Sequence, residues 1–195
     1  MKGVPIHRLI LFLAILVLGF SLDLLTKHWI FARLGYPPNG RVEWIWPGYV
    51  GWELSLNEGA LFGLGQGMVP VFVVLSVVAA VAIVVWLFRA GGAHDLWLTV
   101  ALAAVMAGIF GNLWDRLGLH GLRWWAGAAG HSAGDRVHAV RDWILLAYKD
   151  FRWPNFNVAD SLLVCGVVLI LLSGMFGASQ EKATPSTEGS GRDSI

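Results

Sequence analysis

Four stretches of this chain, about 8–31, 68–88, 96–116 and 158–177, are each some 20 mostly apolar residues long. That is the length a helix needs to cross the hydrocarbon of a bilayer. Within lipid, every backbone N–H and C=O must find its partner inside the segment, so such runs fold as helices. The second run carries no charge from Met68 to Leu87, while the other three hold ionisable residues near one end. The balance of residues agrees: 56% are hydrophobic and 14% charged, where a soluble domain has roughly 45–50% and 25%. The expected class is therefore an all-α membrane protein with four transmembrane helices.

The N-terminus has Lys2 and Arg8 followed by "LILFLAILVLGF", as in a signal peptide, but no small-residue cleavage site follows. The chain runs on into "SLDLLTKHWIF", so this segment reads as a retained signal-anchor helix. Net charge is +1 and no Lys/Arg-rich run occurs, which argues against a nucleic-acid partner. The single cysteine, Cys165, permits neither an intramolecular disulfide nor a cysteine metal site.

Four spans place both termini on one side and the two long connections, about 32–67 and 117–157, on the other. The first connection opens on "GYPPNG", a turn signal, and continues "RVEWIWPGYVGWELSL". β-Branched and aromatic residues alternate there with charged or turn residues, the pattern of short strands. Trp44, Trp46 and Trp52 suit a sheet at headgroup level. The tail from 178 is polar and turn-rich, and disorder is expected for 178–195. Lys and Arg counts leave the orientation open, because the long loops hold more basic residues than the terminal side.

Charges converge at one depth. Span one ends with Asp23 and Lys27, span three with Asn112, Asp115 and Arg116, and span four begins with Asn157 and Asp160. Alternating helices bring these ends to the same face. Intramembrane charges are costly and usually face the bundle interior in pairs. Asp23–Lys27 and Asp115–Arg116 read equally well as neutralising pairs or as site residues. Asp160 has no cation nearby in sequence, so it needs a proton or a distant partner. "VRDWILL" in the second loop offers Asp142, on an apolar run expected to dip back onto the membrane surface. Two carboxyls in a partly dry site share a proton, and can then act as acid and base on one water.

Other patterns carry less. "GHSAG" at 130–134 matches G-x-S-x-G, without the strand–turn–helix which that motif requires. His131, Asp135 and His138 are spaced to share a helix face and hold zinc, but surface polar residues explain them better. "GALFGLGQG" lacks the G-K-[ST] of a phosphate loop. A small transporter would more often show internal repeats and charges at the midplane, and neither is present.

"DLLTK" at 23–27, "NEGALFG" at 57–63, "GIFGNLWDR" at 108–116, "VRDWI" at 140–144 and "FNVADS" at 156–161 stand in the order of the motifs of the lipoprotein signal peptidase (signal peptidase II) family. The resemblance covers about residues 8–177, expected to form one membrane-embedded domain within 1–177. It implies an intramembrane aspartic endopeptidase that removes the signal peptide of diacylglyceryl-modified prolipoproteins, cutting before the lipidated cysteine. Asp142 and Asp160 would be the catalytic pair. Asn57, Gly59, Asn112, Arg116 and Asn157 would line the site, with Asp23 and Lys27 supporting it. No metal or organic cofactor is implied; the partners are the lipidated substrate and membrane lipid, and a monomer is expected. The resemblance further implies a bacterial inner membrane, cytoplasmic termini including the tail, a small extracytoplasmic β-region, and a lid-like loop between helices three and four. The chain departs from the family pattern in an insertion at about 117–139, and in Arg141 and Trp143, where an apolar residue and Phe are expected.

Overall fold

A computed structural model of the chain describes residues 4–37, 41–59 and 64–181, the side chains of 176–181 excepted. Helix α1 spans Ile6–Leu34, followed by strands β1 (Val42–Trp46) and β2 (Val50–Asn57). Helix α2 (Val69–Phe88) and helix α3 (Leu96–Arg116) come next, joined by a single 3-10 turn. Strands β3 (Val140–Tyr148) and β4 (Phe151–Arg152) lead into α4 (Val158–Glu181). The four helices are long and apolar enough to cross a membrane. The segment expected to be a disordered tail is helical up to Glu181, and 182–195 lie outside the described residues.

The outer surface of the helices is the reverse of a soluble bundle's. Leu18 on α1, Val74 on α2 and Val164 on α4 point outward with more than half their surface open, as side chains solvated by lipid do. Polar and charged side chains are instead sealed inside: Asp23, Lys27, Asn112, Asp115 and Asn157 are all buried. Helix α3 is central, with Ala101, Ala103, Met106 and Ala107 fully enclosed.

Small residues let the helices meet. A Cβ on Gly108 would stand 2.4 Å from the Ala159 carbonyl oxygen and 2.7 Å from Leu163 Cγ. The α3–α4 contact thus requires glycine, by the close-approach logic of membrane helix pairs. Gly108→Ala is expected to destabilise the fold by about 1–3 kcal/mol, the usual cost of overpacking. Gly174→Ala on α4, where a Cβ meets open space, is the control and should stay within about 0.5 kcal/mol of the parent. Thermal melts in detergent compare them; equal melts would mean that α3 and α4 do not touch at Gly108.

The strands expected in the first connection are present, but the sheet is larger. It is four-stranded and antiparallel in the order β1-β2-β3-β4, drawing equally on both long connections. The apolar run around Asp142 forms strand β3. The open edge of β2 receives it, and that pairing satisfies the backbone of 140–148. The register slips between Trp52 and Ser55, after which Ser55 pairs with Asp142 and Asn57 with Val140. That bulge aims the end of β2 at the helix ends. Residues of the insertion form a small cluster of their own, with Trp124, Ala128, Val137 and Ala139 buried together.

Candidate active site

Helix α4 begins with its own signal. Asn157 precedes the first helical residue and its Oδ1 accepts the Asp160 N–H at 2.9 Å, while Asp160 Oδ2 accepts the Asn157 N–H at 3.2 Å. This is a reciprocal capping box, and it fixes the Asp160 carboxylate over the first turn of α4. The neighbouring N–H, that of Ala159, donates to Asp23 Oδ1 on α1 at 2.9 Å. The start of α4 is thus capped by a side chain from another helix as well as its own.

Asn157 faces the other way too. Its Nδ2 donates to Asp142 Oδ1 at 2.6 Å and to Asn112 Oδ1 at 3.2 Å. Asn112 Nδ2 in turn donates to Asp160 Oδ1 at 2.8 Å, and Asn57 Nδ2 to Asp142 Oδ2 at 3.2 Å. Each carboxyl therefore receives two neutral donors, and Asn157 touches both acids. Asp142 and Asp160, far apart in sequence, line one cleft of about 540 Å³ with Asn57, Gly59, Asn112 and Arg116. Asp142 is 2% exposed. Burial first, and the charge of Asp160 second, push its carboxyl up to about 8. Burial beside a second carboxyl thus favours the protonated form of Asp142 at neutral pH, because two neighbouring acids resist joint ionisation.

Gly59 forms part of the wall through its backbone. Its N–H donates to Asn57 Oδ1 at 2.9 Å, and its carbonyl accepts from Arg116 Nη2 at 3.0 Å. The Arg116 guanidinium also lies 5.1 Å from the centre of the Phe72 ring. The remainder of the "NEGALFG" motif, residues 60–63, lies outside the described residues.

Behind the cleft is a buried ionic cluster. Lys27 Nζ is 2.7 Å from Asp23 Oδ2, 3.1 Å from Asp115 Oδ2 and 3.1 Å from Asn112 Oδ1. The expected Asp23–Lys27 pair is present. Asp115–Arg116 is not: adjacent helical residues point about 100° apart, so they cannot share a face. Asp115 pairs instead with Arg141 of β3, whose Nε and Nη2 donate to its Oδ1 at 3.0 and 2.8 Å. Reading along the sequence missed Arg141, because Asp115 already had a cation next door.

The zinc-spaced trio separates. His131 stacks on Trp124 and its Nε2 lies 3.3 Å from Glu58, while His138 Nδ1 is 3.0 Å from the Arg116 carbonyl. Among the described residues no three potential metal donors converge.

A family model described as signal peptidase (SPase) II matches residues 15–176. The chain belongs to the signal peptidase II family. A lipoprotein signal peptidase of Rhodopirellula baltica is 45% identical over 169 residues, covering 86% of this chain and 73% of that protein. One from Pseudomonas syringae pv. tomato is 38% identical over 132 residues, 65% of each chain. A solved bacterial membrane enzyme, determined by the in meso method at 2.3 Å resolution, shares the fold with a TM-score of 0.71 at 24% identity, over 90% of this chain and 94% of that one. Membership fits the convergence of family motif residues in one cleft: Asn57, Asn112, Arg116, Asp142 and Asp160 all line it.

Proposed function

We propose that the chain is an aspartic endopeptidase which removes the signal peptide of diacylglyceryl-modified prolipoproteins, cutting before the lipidated cysteine. The observation that carries the chemistry is the bridge of Asn157 between two carboxyls that share one cleft. In this reading a water lies between Asp142 and Asp160. The ionised carboxylate takes a proton from the water as its oxygen attacks the scissile carbonyl carbon. The protonated carboxyl gives its proton to the carbonyl oxygen. The tetrahedral diol then collapses: one of its hydroxyl protons returns to the ionised carboxyl as the C=O re-forms, the other carboxyl gives its proton to nitrogen, and the C–N bond breaks to release the amine.

The asparagines suit this task because they donate without bringing buried charge. A donor aimed at the developing oxyanion is worth about 2.7–4 kcal/mol. Ile109, Leu163 and Val164 line the same cleft, and offer an apolar wall to acyl chains, each buried CH₂ contributing about 0.8 kcal/mol. Family membership supports a bacterial inner membrane with both termini cytoplasmic, the sheet on the outer side and a lid-like loop between helices three and four.

Purified protein tests the reading on a diacylglyceryl-modified prolipoprotein and its unmodified form. Cleavage of the first alone, unchanged by EDTA, is expected. Equal cleavage of both would remove the lipid requirement, and strong inhibition by EDTA would replace the dyad with a metal. The rate should also fall as pH rises through about 8, where the shared proton is lost. A rate that keeps rising past that pH would sink the one-proton dyad.

A further inference from the structure

The residue before Asp142 is held more tightly than its place in the sequence leads one to expect. Arg141 is 5% exposed. Its backbone N–H donates to Asp115 Oδ2 at 3.0 Å, and its Nε and Nη2 both donate to Asp115 Oδ1. One residue of β3 is thus fastened to one carboxylate of α3 by three hydrogen bonds, including two from the rigid guanidinium fork. The same Asp115 is held by Lys27, and Lys27 holds Asn112, the donor to Asp160. A continuous buried path therefore runs from the residue beside one acid to the partner of the other.

Successive strand residues face opposite sides. Asp142 lines the cleft, whereas Arg141 lines two hollows beside α1 and the end of α3, which it shares with His28 and His120. Arg141 is absent from the cleft wall and has no route to a substrate there. Its charge has a second consequence. Asp23, Lys27, Asp115 and Arg141 sum to zero, so the cluster behind the cleft is neutral only with Arg141 in place.

We propose that Arg141 is a positioning residue for hydrolysis, its fork and backbone on Asp115 setting where β3 presents Asp142 to Asp160. This rests on the peptidase reading above. It also gives a physical role to the position at which this chain departs from the apolar residue expected by the family resemblance. In this chain the dyad is aligned by an ion pair across the sheet–helix junction.

The test uses the full chain in detergent and the lipidated substrate. Arg141→Leu should lower kcat about a hundredfold, the cost of an ångström-scale misplacement, with KM within about threefold, since Arg141 touches no substrate. Arg141→Lys, which keeps the charge but not the fork, should recover about tenfold of that loss. Adding Asp115→Asn to Arg141→Leu should cost less than Asp115→Asn alone, because the Arg141 partner is already lost and Asp23 with Lys27 again sum to zero. Amide exchange across β3 reads the same effect without turnover: it should quicken at least about tenfold in Arg141→Leu while the middle of α3 stays protected.

A wild-type enzyme that cleaves, alongside an Arg141→Leu variant of equal kcat or a loss confined to KM, overturns the positioning role alone. So does Arg141→Lys with full kcat, or unchanged exchange across β3. A wild type that fails to cleave overturns the peptidase reading instead, and the exchange result still decides whether Arg141 holds the strand.

Discussion

Asp142→Asn and Asp160→Asn are each expected to reduce cleavage of the lipidated substrate by about 10⁴-fold, the scale on which loss of one member of a concerted set is felt. The substitution is nearly isosteric, so the cleft keeps its shape. What is lost is the ability to trade a proton: an amide can neither accept one from water nor donate one to the carbonyl oxygen on the needed scale. A second effect is structural. Both oxygens of each acid accept hydrogen bonds, Asp142 from Asn157 and Asn57, Asp160 from Asn112 and the Asn157 backbone. An asparagine in either place turns one acceptor into a donor facing a donor, whichever way the amide is flipped. That mismatch costs about 1–3 kcal/mol. Thermal melts alongside the assay separate the two effects, because a modest loss of stability cannot account for four orders of magnitude in rate. Activity within about tenfold of the parent in either folded variant removes that residue from the chemistry.

The parts of this molecule legible in its sequence are those set by local rules. Membrane-length apolar runs became helices because nothing else can satisfy a backbone in lipid, and Asp23–Lys27 paired because they lie four apart on one helix. The Asn157–Asp160 capping box went unnoticed in the sequence, although N-x-x-D before an apolar run is its local signal. Strand β3 was not legible as a strand. Val140, Arg141 and Asp142 are all buried in succession, so the alternation that marks a half-exposed strand is missing at its start. Its partner β2 lies more than eighty residues earlier, and only tertiary pairing shows it. The misassigned ion pair has the same origin. Asp115 had Arg116 beside it in sequence, but the helix turns that side chain toward the Gly59 carbonyl, and the partner comes from the other end of a long loop.

Lys27 carries the other large expectation. Its ammonium lies within 3.1 Å of oxygens of Asp23, Asp115 and Asn112, and the side chain is fully buried. Lys27→Met keeps the bulk of the stem and removes the charge. Asp23 and Asp115 are then left with Arg141 as their only cation in the cluster, a net charge of −1 sealed away from water. Removing one partner from a buried ionic set costs about 3–5 kcal/mol, so the melting temperature should fall by roughly 10 °C for a chain of this size. The damage also reaches the cleft, because Lys27 orients Asn112, which donates to Asp160. Its positive field also opposes the upward push on Asp142. With the cation gone, Asp142 is held protonated to still higher pH, so the alkaline limb of the rate profile should move upward from about 8 even as the maximal rate drops. Lys27→Arg should not rescue, since a planar fork does not reproduce three divergent contacts from one nitrogen. A Lys27→Met protein that melts with the parent and keeps its alkaline limb in place would show that the cluster holds itself together, and tunes the dyad, without this cation.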